Sequence, residues 1–213
     1  MHIPDGFLSP QTFLPAWALA GVAWAVAGRG LRHSLDERSV PRLAMLTALA
    51  YGLGLVMLPL PGGTSGHLLG IALLAWLAGA RAAFAAYSLV LLLQALLFGA
   101  GGVTALPVNA LLLGGVGALL AVASRWLLGR CCETLALALG AWLAVVVPSA
   151  LLALVLGLQP VLAQDTEGRP LFFPFGIAVT LPALVLPHLL IGMAEAALSV
   201  LVWRLGKTRG WFS

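Results

Sequence analysis

The chain has 213 residues, 62% hydrophobic and 8% charged, with a mean hydropathy of +1.07. This composition excludes a soluble domain and indicates a polytopic membrane protein. The net charge of +4 and the isoelectric point of about 9.8 rest on few charges, without a basic stripe and interleaved aromatics, so nucleic acid is excluded as a partner.

The chain begins Met1-His2-Ile3-Pro4-Asp5-Gly6. The α-amine of Met1, the deprotonated amide of His2 and the His2 imidazole Nδ1 are spaced to close fused chelate rings on one metal ion. They fill three corners of a square and leave the fourth open. Imidazole and amide nitrogen in that array suit Ni(II), Cu(II) and, less strictly, Co(II). Pro4-Asp5-Gly6 reads as a tight turn that folds the terminus back. The competing reading is a frayed end. No cleavable signal peptide is expected, because this stretch carries Asp5 and neither Lys nor Arg.

Hydropathy predicts seven spans, at residues 12–28, 43–58, 68–80, 82–98, 105–124, 134–158 and 176–203. Between the second and third lies Pro59-Leu60-Pro61-Gly62-Gly63-Thr64-Ser65-Gly66-His67, a loop by its Pro and Gly content. Gly99-Ala100-Gly101-Gly102 is a second glycine loop. The reading is one all-α unit: an external segment 1–11, a helix bundle 12–204 and a cytoplasmic tail 205–213. With seven crossings, Arg29, Arg32, Arg38, Arg42, Arg81, Arg125, Arg130, Arg204, Lys207 and Arg209 share one side, and Arg169 alone lies on the other. The positive-inside rule then places the C-terminus in the cytoplasm and the N-terminus outside. Met1, His2 and the His67 loop come to the same external face.

His67 is the candidate fourth ligand, and Gly62, Gly63 and Gly66 allow close backbone approach. The alternative is an interfacial histidine with its ring in water. Asp5, Thr64, Ser65, Gln94, Asn109 and His188 are candidates for a supporting layer around the ion. Polar groups at membrane depth are costly, and Gln94 and Asn109 also fit hydrogen bonds between helices. His188 and Glu195 share a helix face about two turns apart, roughly 10 Å, and Glu195 reads as a structural contact. Ala16, Ala20, Ala23 and Ala27 form a small-residue stripe suited to close packing within the bundle. Adjacent Cys131 and Cys132 read as reduced thiols at a helix end. Gly206-Lys207-Thr208 lacks the first glycine of a phosphate loop, since Leu201 stands there, so no bound nucleotide is expected. Gly63-Thr64-Ser65-Gly66 with His188 also fits a rhomboid-like serine protease with a Ser65/His188 dyad. A stand-alone metal channel or exporter is the third class considered.

Met1 to Pro10, together with Gly63-Thr64-Ser65-Gly66-His67-Leu68-Leu69-Gly70, resembles the CbiM/NikM family, the substrate-binding components of cobalt and nickel energy-coupling-factor (ECF) transporters. The segments Gln94-Ala95-Leu96-Leu97-Phe98-Gly99 and His188-Leu189-Leu190-Ile191-Gly192-Met193-Ala194-Glu195-Ala196 are similar to family segments too. Ala100 and Pro107-Val108 depart from the family pattern. The resemblance implies that Met1, His2 and His67 bind Ni(II) or Co(II) as transported substrate. It also implies a transmembrane coupling subunit and two cytoplasmic ATPase subunits as partners, with a small auxiliary membrane subunit beside them. The setting it implies is the cytoplasmic (inner) membrane of a prokaryote. The chain itself would then be no enzyme.

Overall fold

The computed structural model describes residues 2–34, 36–37, 39–60 and 64–211. Met1, Arg38, Gly62 and Gly63, which the sequence reading used, lie outside the described residues. Six helical stretches carry the fold among the described residues: α1 (Pro10–Ser34), α2 (Ser39–Leu55), α3 (Ile71–Phe98), α4 (Leu106–Leu128), α5 (Glu133–Leu162) and α6 (Ile177–Thr208). Of these, α3, α4, α5 and α6 are long and apolar enough to cross a membrane, and α2 is a shorter apolar helix. The fold is that of a multi-pass membrane protein carried by helices.

Six stretches stand where seven spans were expected, because the third and fourth expected spans form one stretch, α3, with Gly79 at φ 83 and ψ 162 inside it. That conformation is open only to glycine. The contacts against α4 show what the break does. Ile71 packs at Gly117, Trp76 Nε1 donates to the Ala121 carbonyl at 2.8 Å, and Phe84 is back at Gly114 and Gly115. The backbone therefore doubles back at Gly79, and the leg from Ile71 is only about two turns, roughly 12 Å at 1.5 Å per residue.

The segment expected as a loop contains a short antiparallel hairpin, β1 (Leu58–Leu60) with β2 (Thr64–Gly66), in register Leu58 to Gly66. Pro59 is tolerated because a two-stranded ribbon has only edges. The hairpin delivers residues 67–70, a strap without regular secondary structure, to the start of α3. Elsewhere α2 ends at Leu55, earlier than expected, and α5 and α6 run past their expected ends.

Local chemistry explains the helix starts. Ser9 closes the first turn of α1: its carbonyl accepts from Thr12 and Phe13 at 2.9 and 3.0 Å. Pro107 sits in the first turn of α4, where its missing N–H costs nothing. Residues Ala110–Val116 of α4 are π-helical. The alanine stripe of α1 faces inward, with Ala16, Ala20 and Ala27 buried. Cys131 and Cys132 are free and exposed between α4 and α5. Lys207, the residue of the incomplete phosphate loop, pairs with Glu133 at 2.6 Å.

Candidate metal centre

The N-terminal segment is pinned across the bundle end by three side chains. Asn109, near the start of α4 and 2% exposed, grips Ile3 twice. The Ile3 N–H donates to its Oδ1 at 3.0 Å, and its Nδ2 donates to the Ile3 carbonyl at 3.0 Å. The Gly102 N–H donates to the same carbonyl at 2.9 Å. The Asp5 carboxylate accepts from the N–H groups of Val103 and Thr104, at 3.0 and 2.8 Å, and from the Thr104 hydroxyl. Those bonds, the hydroxyl's first, hold the Asp5 carboxyl below its ordinary range. Gln159 of α5 accepts from the Ser9 N–H at 2.9 Å. Ile3 and Leu8 plug into the core at 1% and 2% exposure.

This path lays His2 against His67. Their ring centroids are 4.6 Å apart, with the planes at 43°. Gly101, at φ 90, leaves the room: a side-chain carbon there would lie 3.1 Å from the His2 Cβ. His67 is 2% exposed, and its Nδ1 lies 2.9 Å from the Leu68 carbonyl. Nδ1 therefore carries the proton and donates, and the Nε2 lone pair is free. The Nε2 atoms of both rings are buried without a partner. Burial holds His2 well below the usual imidazole range, and repulsion from His67 adds to this. Burial likewise brings His67 down to about 4. Two neutral imidazoles side by side, each with a nitrogen unused by the protein, are a donor pair for a soft-to-borderline divalent ion. Among the described residues no third His, Cys, Asp or Glu joins them in one cluster.

The supporting candidates divide. Asn109, a candidate both for the supporting layer and for a bond between helices, holds the N-terminal backbone next to His2. Gln94 is fully buried beside His67, and neither amide atom has a partner. A side-chain carbon on Gly54 would lie 2.2 Å from Gln94 Nε2 and 3.6 Å from His67 Nδ1, so amide and imidazole share one small pocket walled by α2 backbone. His188 is fully buried with Nδ1 on the Leu184 carbonyl at 2.6 Å, and its Nε2 has no partner. Thr64 and Ser65 lie in β2, and their side chains fall outside the described residues.

Three residues of this end were not singled out for these roles in the sequence. Gln159 anchors Ser9 from 150 positions away. Gly102 leaves space that Asp5 occupies: an added Cβ would lie 2.3 Å from the Asp5 nitrogen. Glu195, read as a structural contact, accepts from the N–H groups of Leu69 and Gly70 at 2.8 and 2.7 Å. The sequence signal for Gln159 and Glu195 is a polar residue at membrane depth, and for Gly102 its place in the glycine loop.

The chain is similar to known transport proteins. The family model CbiM, described as the cobalt uptake substrate-specific transmembrane region, matches residues 2–209. The fused nickel transport protein NikMN of Rhodobacter capsulatus is 37% identical over 92% of this chain and 58% of its own length. LarMN of Lactiplantibacillus plantarum is 38% identical over 97% of this chain and 64% of its own length. The chain thus spans less than two thirds of these curated relatives. A crystal structure of a truncated transition metal transporter superposes with a TM-score of 0.91 at 36% identity, covering 96% of this chain and 97% of that one. With one family model running from the His2 imidazole to the end of α6, the chain belongs to the CbiM family of substrate-specific transmembrane regions.

Proposed function

We propose that the chain is the substrate-binding membrane component of an ATP-driven, ECF-type uptake transporter, and that it captures Ni(II) or Co(II) at the external face. The observation that carries the reading is the buried His2–His67 pair, 4.6 Å between ring centroids, with both Nε2 atoms unpartnered. The donors are the Met1 amine, the His2 amide and imidazole, and the His67 imidazole. The His2 ring turns to offer Nδ1 to the chelate. Asn109, Asp5 and Gln159 hold the segment so that little ordering remains to be done when the ion arrives.

The doubling back at Gly79 fits an odd number of crossings if residues 67–70 and the two-turn leg of α3 together stand for the third crossing and the leg after Gly79 for the fourth. It supports an external N-terminus and a cytoplasmic C-terminus, with ten of the eleven Lys and Arg residues on the inner side. The chain has no phosphate-binding loop, so ATP is hydrolysed by partners. These are a transmembrane coupling subunit and two cytoplasmic ATPases, with a small auxiliary membrane subunit, in a prokaryotic cytoplasmic membrane.

The test alters the terminus. A long N-terminal extension removes the Met1 amine from its place beside His2 and abolishes Ni(II) binding. A single added Ala supplies a new amine, two amides and the imidazole, which close the square without His67. His67→Ala then weakens binding in the original chain and has little effect in the extended one. The readout is a double-mutant cycle on Ni(II) affinity. Additive effects, or normal transport by a tagged chain, refute the chelate.

A further inference from the structure

The strap that carries His67 is held by a residue at the far end of the chain. Leu69 and Gly70 stand two and three residues after His67 and precede the first turn of α3. Their N–H groups point to the two oxygens of Glu195, Oε2 at 2.8 Å and Oε1 at 2.7 Å, 126 and 125 positions away. Gly70 has φ 68, a left-handed conformation that turns the strap into the helix. The carboxylate is 1% exposed on α6. Among the described residues no Lys or Arg lies within ion-pair distance of it.

A charged group buried without a cation is costly inside a membrane protein. Two features offset the cost. The amides at a helix start lack partners within the helix, and the helix dipole favours negative charge there. Two adjacent N–H groups also require two acceptors side by side. A carboxylate supplies both, whereas a carboxamide supplies one oxygen and turns an N–H donor against the other amide. Glu195 is therefore matched to the strap in a way its nearest isostere is not.

We propose that Glu195 is a positioning residue of the ion site: by gripping residues 69 and 70 it locks the strap and fixes where His67 presents its ring. It does not touch the ion. It decides whether the fourth donor is in place when the N-terminal chelate arrives. The inference rests on the reading of His67 as a ligand.

The test uses the full chain with its native N-terminus, in detergent, and Ni(II) as the probe. Glu195→Gln lowers Ni(II) affinity by about 10–100-fold, the usual range for a partner that orients a metal ligand. His67→Ala lowers it at least tenfold in the native background. The double variant is no worse than the weaker single one, because a loose strap no longer delivers His67. A purely structural Glu195 would lower thermal stability and leave the His67 contribution intact, and an additive cycle overturns the proposal. If His67→Ala has no effect in the native background, the ion-site reading itself falls, whatever Glu195 does. A second measurement covers a Glu195→Gln chain that does not fold. Hydrogen exchange in the ion-free native chain is slow at Leu69 and Gly70, comparable to the α3 core. Exchange within seconds there shows that nothing is locked, and overturns the proposal.

Discussion

Removing the Asn109 side chain is the most direct probe of whether the N-terminus is docked before the ion arrives. Asn109→Ala deletes both hydrogen bonds to Ile3, each 3.0 Å, in a place where Asn109 is 2% exposed. The Ile3 carbonyl keeps the Gly102 N–H as a partner, but the Ile3 N–H is left with none. Two net hydrogen bonds are worth about 0.5–1.5 kcal/mol each, and one orphaned buried donor costs about 1–3 kcal/mol. The docked segment should therefore lose about 2–6 kcal/mol, on the order of 30- to 25,000-fold in ion affinity. Asn109→Asp retains the acceptor for the Ile3 N–H and should lose less. The assay is calorimetric titration of Ni(II) into the purified chain, with thermal unfolding as the control for folding. A folded Asn109→Ala chain that binds within twofold of the original would refute a pre-docked terminus.

Three further outcomes are expected. Gly102→Ala places a Cβ 2.3 Å from the Asp5 nitrogen and 2.4 Å from its Oδ1, both on the docked segment. Overpacking of this kind costs about 1–3 kcal/mol, so Ni(II) binding should weaken by about tenfold or more while the melting temperature of the bundle changes little. Gly54→Ala drives a carbon to 2.2 Å from Gln94 Nε2, in a fully buried pocket shared with His67, and should weaken binding measurably in the same titration. Ion affinity should fall as pH drops from about 8 to 6, because the terminal amine (about 8 in model peptides) and the His2 amide must lose protons to bind. Burial keeps His67 neutral down to about 4, so His67 does not titrate in that window. The slope should survive His67→Ala, and a slope that vanishes in that variant would mean the imidazole is the titrating donor.

Much of the candidate site was legible because the signals are local. Met1 and His2 are consecutive, so their chelating geometry is a property of the covalent chain. His67 stands out as one of 4 histidines in a chain that is 62% hydrophobic. Hydropathy alone placed the helices, since lipid requires each spanning segment to satisfy its own backbone. What stayed hidden depends on packing. Separate spans at 68–80 and 82–98 already imply a reversal near residue 81, but that Gly79 carries it within one helical stretch is visible only in the folded chain. Asn109 met Ile3 across 106 positions, Gln159 met Ser9 across 150 and Glu195 met Leu69 across 126. Composition determined that this chain is built of membrane-spanning helices, and the order Met1-His2 that a chelating terminus is chemically available. Tertiary structure decided which buried polar side chains stand under those nitrogens, because a hydrogen bond between distant residues exists only once the helices between them have packed.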